Sequence, residues 1–248
     1  MKTIGLIGGM SWESTTTYYR YINEAVRDKL GGLSSADLLL SSLDFASIVA
    51  LQKADRWDDA GSVLGGAGAR LARAGADCIL ICTNTMHLVA DKVERMSGLP
   101  LINIIDETAD VLKGDGCRRP LLLATRYTME HGFYSDRMAS HGIDVLVPAA
   151  EERQRIHATI FDELCQGIIS DASRAEMMGI IERAASQGAD SVILGCTEIQ
   201  LLLDPRALPL PGYDSTELHA KAAVRFALSG EALANPGAAI KGVKDLSL

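Results

Sequence analysis

Two stretches of this chain end in residues that can move protons, and they share one shape. "GADCILICTNTMH" (75–87) and "GADSVILGCTEI" (188–199) superpose with Gly75 on Gly188, Asp77 on Asp190 and Thr83 on Cys196. A cysteine at one such end and a hydroxyl at the other point to proton transfer at a carbon held between them. A pair of groups on opposite faces of one carbon can invert it, one removing the proton and the other returning it from behind. A thiolate suits removal, since a free thiol has a pKa of about 8.5, which a helix N-terminus or a positive neighbour lowers. Cys196 stands at a strand end just before a helix start, where such lowering is expected. Thr83 keeps a hydroxyl but is a far weaker acid, so it serves only through an activated neighbour or water. The competing reading of Cys196 is a buried, inert cysteine; its placement opposite Thr83 weighs against that.

The residues around this pair suit a small zwitterion. Asn84, Thr85 and Thr197, with backbone N–H groups at helix starts, form a candidate anion cradle that needs no lysine. Glu198 either holds a substrate ammonium or is a favourable charge in a first helical turn. "GGMS" (8–11) gives a tight turn where backbone approaches a ligand. It is neither GxGxxG nor a Walker-type loop, so a nucleotide is weakly supported. The five histidines are scattered and read as surface or core residues; the five cysteines form no CxxC or Cys/His comb, so no metal is expected.

Composition narrows the partners. The net charge is −8 and no Lys/Arg cluster stands out, which argues against nucleic acid and anionic membrane. No apolar run is long enough to span a bilayer, and "MKTIGLIGG" does not read as a signal peptide. A cytoplasmic, reduced thiol state is therefore expected.

The elements that must position these residues form an α/β pattern. Strand candidates are 3–8, 37–43, 77–82, 100–104, 120–125, 143–148, 191–195 and 208–212, continuous apolar runs as for strands buried on both faces. Helix candidates lie between them at 12–29, 58–74, 87–96, 151–167, 172–187 and 215–229. The repeat implies two pseudo-symmetric parallel-sheet α/β domains with the active site in the cleft between them. The expected division is 1–99 plus 211–229 as the first domain and 100–210 as the second, with a peripheral tail at 230–248. Chemistry gathers beyond the carboxyl ends of strands in such sheets, where "GGMS", "CTNT", "ATRYT" and "GCTE" all fall.

These motifs resemble the cofactor-independent aspartate/glutamate racemase family over about residues 3–229. "IGLIGGMSWEST" is similar to the family's "IGGMGPxAT" opening, "CTNTMH" to its "CNTAH", "GCTEI" to its second cysteine motif and "LLATRYT" to a further substrate-side motif. The resemblance implies a two-base racemase without pyridoxal phosphate or metal, acting on a small acidic amino acid, and a homodimer. It implies that Cys196 deprotonates the L-isomer and that Met10, Gln52, Asn84, Thr85, Thr128 and Thr197 contact substrate. Glu198 and His87 also fall in motif positions. Three departures stand out. Thr83 occupies the position of the family's first cysteine, with Cys82 one residue early and expected to face the core. Gln52 stands about where an arginine can occur, and Cys165 about where a lysine is often found, which weakens a strict aspartate specificity. Other reactions of the superfamily remain open: hydantoin racemisation, maleate isomerisation and arylmalonate decarboxylation. A non-catalytic small-acid binder also remains open.

Overall fold

The computed structural model describes residues 1–229, so the expected tail at 230–248 lies outside the described residues. The first half runs β1 (Ile4–Gly8), α1 (Trp12–Leu30), β2 (Leu38–Ser42), α2 (Phe45–Lys53), α3 (Trp57–Arg73), β3 (Cys78–Ile81), α4 (Ala90–Ser97) and α5 (Ile104–Gly114). The second runs β4 (Pro120–Leu123), α6 (Arg126–Glu130), α7 (Phe133–Ser140), α8 (Ala150–Ala158), α9 (Asp171–Ser186), β5 (Ser191–Leu194), α10 (Ile199–Leu202), β6 (Gly212–Asp214) and α11 (Ser215–Leu228).

Each half holds a parallel sheet, ordered β2-β1-β3 in the first and β4-β5-β6 in the second. Every residue of β1, β3, β4 and β5 is buried, as strands covered on both faces by helices must be. The segments expected as strands at 100–104 and 143–148 add one bridge each, Ile79 with Leu101 and Leu121 with Leu146. Each is an edge position held at one residue, too short to form a strand of its own. With these bridges both sheets have the same order, β2-β1-β3-Leu101 and Leu146-β4-β5-β6. The repeat seen around Gly75 and Gly188 thus extends to the whole sheet, with β3 and β5 as equivalent strands.

The helices that follow the fourth positions cross over. Ile104, Ile105, Ala109 and Leu112 of α5 sit in the core of the second half, with Leu121 and Val192. Ala220, Ala223, Val224 and Ala227 of α11 sit in the core of the first, with Ile4 and Tyr18. The expected domain division keeps each of these helices with its strand, but the two part here: Leu101 pairs in the first sheet and β6 joins β5 in the second, while their helices pack on the opposite halves. The strand is held by backbone pairing within its own sheet, whereas the apolar face of the helix is free to cover the neighbouring sheet. Two linkages between the halves therefore arise from local patterning alone.

A buried polar chain runs along this crossover. The Tyr18 hydroxyl donates to His219 Nδ1 at 2.8 Å, and His219 Nε2 donates to the Ile102 carbonyl at 2.7 Å. His87 Nδ1 donates to the Thr83 carbonyl at 2.9 Å, while its Nε2 accepts from the Ile104 N–H at 3.3 Å. Both rings are thus neutral, each with a donor and an acceptor nitrogen fixed by its partners. Burial pushes His87 down to about 4 and His219 down to about 3.

The pH dependence of stability follows in sign. The unfolded histidines take up protons near pH 6.5 while the folded ones resist, so this contribution is present above about 6.5 and declines as the pH falls toward the folded values. His157, also lowered by burial, adds to it. Asp214, raised by burial to about 6, works the other way between about 4 and 6. With three histidines against that carboxyl, the urea midpoint should fall between pH 7 and pH 4. Tyr18→Phe leaves His219 Nδ1 without its donor and should cost about 1–3 kcal/mol in the same assay at pH 7.

Candidate active site

The ends of β1, β3, β4 and β5 converge on one cavity between the halves. From the first half, Met10, Ser11, Gln52, Thr83, Asn84 and Thr85 line it. From the second come Thr125, Cys165, Gly195, Cys196, Thr197 and Glu198. Each expected site residue lies here except Thr128. That side chain is 1% exposed and stands behind the wall, bonded to Thr85 and Thr125.

The turn after β1 brings the backbone in close. Gly9 has φ 84°, and a Cβ there would stand 2.2 Å from the Leu43 carbonyl oxygen, so a side chain has no room. Ser11 then caps α1, accepting from the Ser14 N–H at 3.2 Å. Its hydroxyl donates to Glu198 Oε1 at 2.6 Å, linking the two halves across the cavity. Glu198 Oε2 accepts from the Cys196 thiol at 2.9 Å and from the Thr197 hydroxyl at 2.8 Å. Three donors thus converge on one buried carboxylate.

This arrangement corrects the expected lowering of Cys196. Burial, and then the Glu198 charge and hydrogen bond, hold the thiol well above its ordinary value. The helix that follows, α10, has only four residues and offers little dipole against an adjacent carboxylate. The resting group is a thiol donating to Glu198. Cys82 is fully buried beside Tyr18 and Ile22 and does not line the cavity. Burial pushes its thiol up as well.

The β3 end carries two kinds of polar group. Thr85, Thr125 and Thr128 form a ring of hydroxyls at 2.9 Å, 3.1 Å and 3.1 Å. An anion at Thr85 and Thr125 can take a proton from each without any cation. Asn84 has the opposite polarity. Ser215 gives its one hydroxyl proton to the Leu194 carbonyl at 2.9 Å and so receives the Asn84 amide N–H at 3.1 Å. That leaves Asn84 Oδ1 buried without a partner. Asn84 therefore offers an acceptor rather than the donor expected of an anion cradle. Hydroxyl groups and the Glu198 carboxylate thus line one cavity, and Asn84, a lining residue, carries a buried acceptor with no partner among the described residues. A zwitterionic α-amino acid presents the matching pair.

The other wall is apolar. Phe45 and Phe161, one from each half, stack with ring centroids 6.4 Å apart at 20°. Phe161 lies in a widened π-type turn, Thr159–Glu163, which interrupts the single helix expected at 151–167 and puts Ile160 and Phe161 on the cavity. Trp57 of α3 reaches Tyr127 and His131 across the halves at 5.5 Å and 5.0 Å. Sequence reading missed Ser11, Phe45, Met86, Thr125 and Phe161; only Ser11 and Thr125 carried a signal, as small hydroxyl residues placed to cap helices. Among the described residues, no group of three or more Cys, His, Asp or Glu side chains is gathered to hold a metal. Among them, too, no helix is long and apolar enough to cross a membrane.

Comparison with known proteins agrees with this architecture. The family model described as Asp/Glu/Hydantoin racemase matches residues 7–223. The crystal structure of a provisional Asp/Glu racemase from Yersinia pestis is 48% identical, with a TM-score of 0.87, covering 92% of this chain and 100% of that one. An aspartate racemase homologue from Pyrococcus horikoshii OT3 is 34% identical, with a TM-score of 0.81, covering 92% of this chain and 99% of that one. The broad specificity amino-acid racemase RacX of Bacillus subtilis is 22% identical over 224 residues, 89% of this chain and 96% of its own. With the shared two-sheet fold and a cavity built on the matching motifs, the chain belongs to the Asp/Glu/hydantoin racemase family.

Proposed function

We propose that this protein is a cofactor-independent amino-acid racemase that exchanges the Cα proton, with Cys196 acting on the L-isomer and Thr83 on the opposite face. One observation carries the reading: Thr83 and Cys196, at equivalent strand ends of the two sheets, line the same cavity from opposite halves. The family description names aspartate, glutamate and hydantoin as the substrates of its racemases. The reading also includes a homodimer, no nucleic-acid partner and a reducing cytoplasmic setting for the thiol.

The steps follow from the groups present. The substrate carboxylate takes the Thr85 and Thr125 hydroxyls, and its ammonium faces Glu198 and Asn84 Oδ1. The ammonium balances the Glu198 charge that had pushed the thiol up, so binding itself favours the thiolate. Glu198 stays the anion that faces the ammonium, so the Cys196 proton leaves to solvent and the sulfur then removes the α-proton. Negative charge develops on the substrate carboxylate, where the hydroxyls are already aimed. Thr83, or a water it holds, returns a proton to the other face and regains one from solvent, matching the proton that Cys196 released.

The Thr83 side is the poorer base, so proton removal is slower from the D-isomer. Because the two enantiomers have equal free energy, kcat/KM must match in the two directions, and the asymmetry lies in kcat and KM separately. Measured kcat should be larger for L than for D, and Thr83→Cys should raise kcat for D; a larger kcat for D would reverse the assignment of faces.

Glu198→Gln separates the two roles of that residue. It removes the charge that raises the thiol pKa, so alkylation of Cys196 by iodoacetamide at pH 8, followed on its own peptide by mass spectrometry, should become faster. It also removes the partner of the ammonium, so kcat/KM for the L-substrate should fall by at least about tenfold. Slower or unchanged alkylation would contradict the electrostatic account.

A further inference from the structure

We infer that this site, read as a racemase, selects amino acids whose side chains carry no charge, and that Cys165 sets this selection. Once the ammonium faces Glu198 and the carboxylate faces the threonine hydroxyls, the remaining lining receives the substrate side chain. That lining is Phe45, Gln52, Ile160, Phe161 and Cys165. Among the described residues, no lysine or arginine lines the cavity.

A second carboxylate would meet two aromatic rings, an aliphatic chain, one amide and one thiol. The Gln52 amide gives one N–H to Met86 Sδ at 3.2 Å, so it has one N–H and its carbonyl left for a side chain and brings no charge. Burial and then Glu198 push the Cys165 thiol up to about 12, so it stays uncharged at neutral pH. Glu198 also adds a negative charge on the same cavity. A dicarboxylic substrate therefore brings a surplus negative charge into a place with no positive partner, which costs more than the contacts repay. A carboxamide or an apolar chain brings no such charge, and the amide and rings suit it. The cations that act on the neighbouring His157 do not alter this. Arg126 and Lys53 act on His157, whose ring packs against Phe161 at 4.6 Å, outside the cavity. Both are exposed, and Arg126 faces Glu130 at 3.9 Å.

The test ranks initial α-proton exchange in D₂O for L-asparagine, L-glutamine and L-methionine against L-aspartate and L-glutamate. The best uncharged substrate should exceed both acidic ones by at least about tenfold in kcat/KM. Cys165→Lys places a cation in the same lining and should shift the aspartate-to-asparagine ratio by about tenfold toward aspartate. Preference of the wild type for aspartate or glutamate would overturn the inference while leaving the racemase reading intact. A ratio unmoved in a folded Cys165→Lys would overturn the assignment to Cys165. Exchange with none of the five would instead count against the racemase reading itself. The wild-type ranking needs no variant, so the inference stands or falls even if the lysine prevents folding.

Discussion

The carboxylate of Glu198 is the point on which this site depends. It sits buried between the two halves and accepts from Ser11, Cys196 and Thr197, and among the described residues no lysine or arginine lines the same cavity. A buried anion held only by neutral donors is poised for a positive group. The same charge keeps Cys196 a thiol until such a group arrives. In the proposed racemase, substrate binding and thiol activation are one electrostatic event, with the thiol held unreactive in the empty site. Ser11 makes this a property of both halves, because one of the three donors comes from the N-cap of α1.

The cavity exists because the fold is doubled and then crossed. Each sheet ends its equivalent strand, β3 or β5, at the cleft, and each half sends its last helix onto the other. Packing of α5 and α11 across the halves buries apolar residues that neither half could cover alone, the isoleucine, leucine and valine side chains each worth about 1.5–3 kcal/mol when fully removed from water. His87 connects this scaffold to the site. It bonds the Thr83 carbonyl on one side and the first amide of α5 on the other, and burial keeps it neutral. Its motif position is therefore explained by support of Thr83 rather than by contact with the cavity, which it does not line.

Much of this was legible in the residues. Continuous apolar runs marked β1, β3, β4 and β5 because buried parallel strands leave no polar face. The repeat marked Thr83 and Cys196 as partners because equal positions in equal sheets must end at the same cleft. What the sequence withheld was set by long-range contacts. Leu101 and Leu146 pair through single residues that an apolar pattern cannot distinguish from full strands. The widened turn at Thr159–Glu163 leaves no mark in a run that reads as helix. The polarity of Asn84 depends on Ser215, more than a hundred residues away, and the raised Cys196 thiol depends on where the Glu198 side chain turns. A carboxylate two positions on reads equally as a first-turn charge or as a partner of the thiol.

The central claim is that Cys196 removes a proton from Cα without help from an added cofactor. The most direct measurement is proton NMR of the α-hydrogen of L-amino acids, acidic and amide alike, in D₂O with the wild type and with Cys196→Ala, followed by chiral analysis of the product. The account predicts loss of the α-proton signal and appearance of D-isomer with the wild type, and neither with the variant. Equal exchange by the folded Cys196→Ala protein would contradict it.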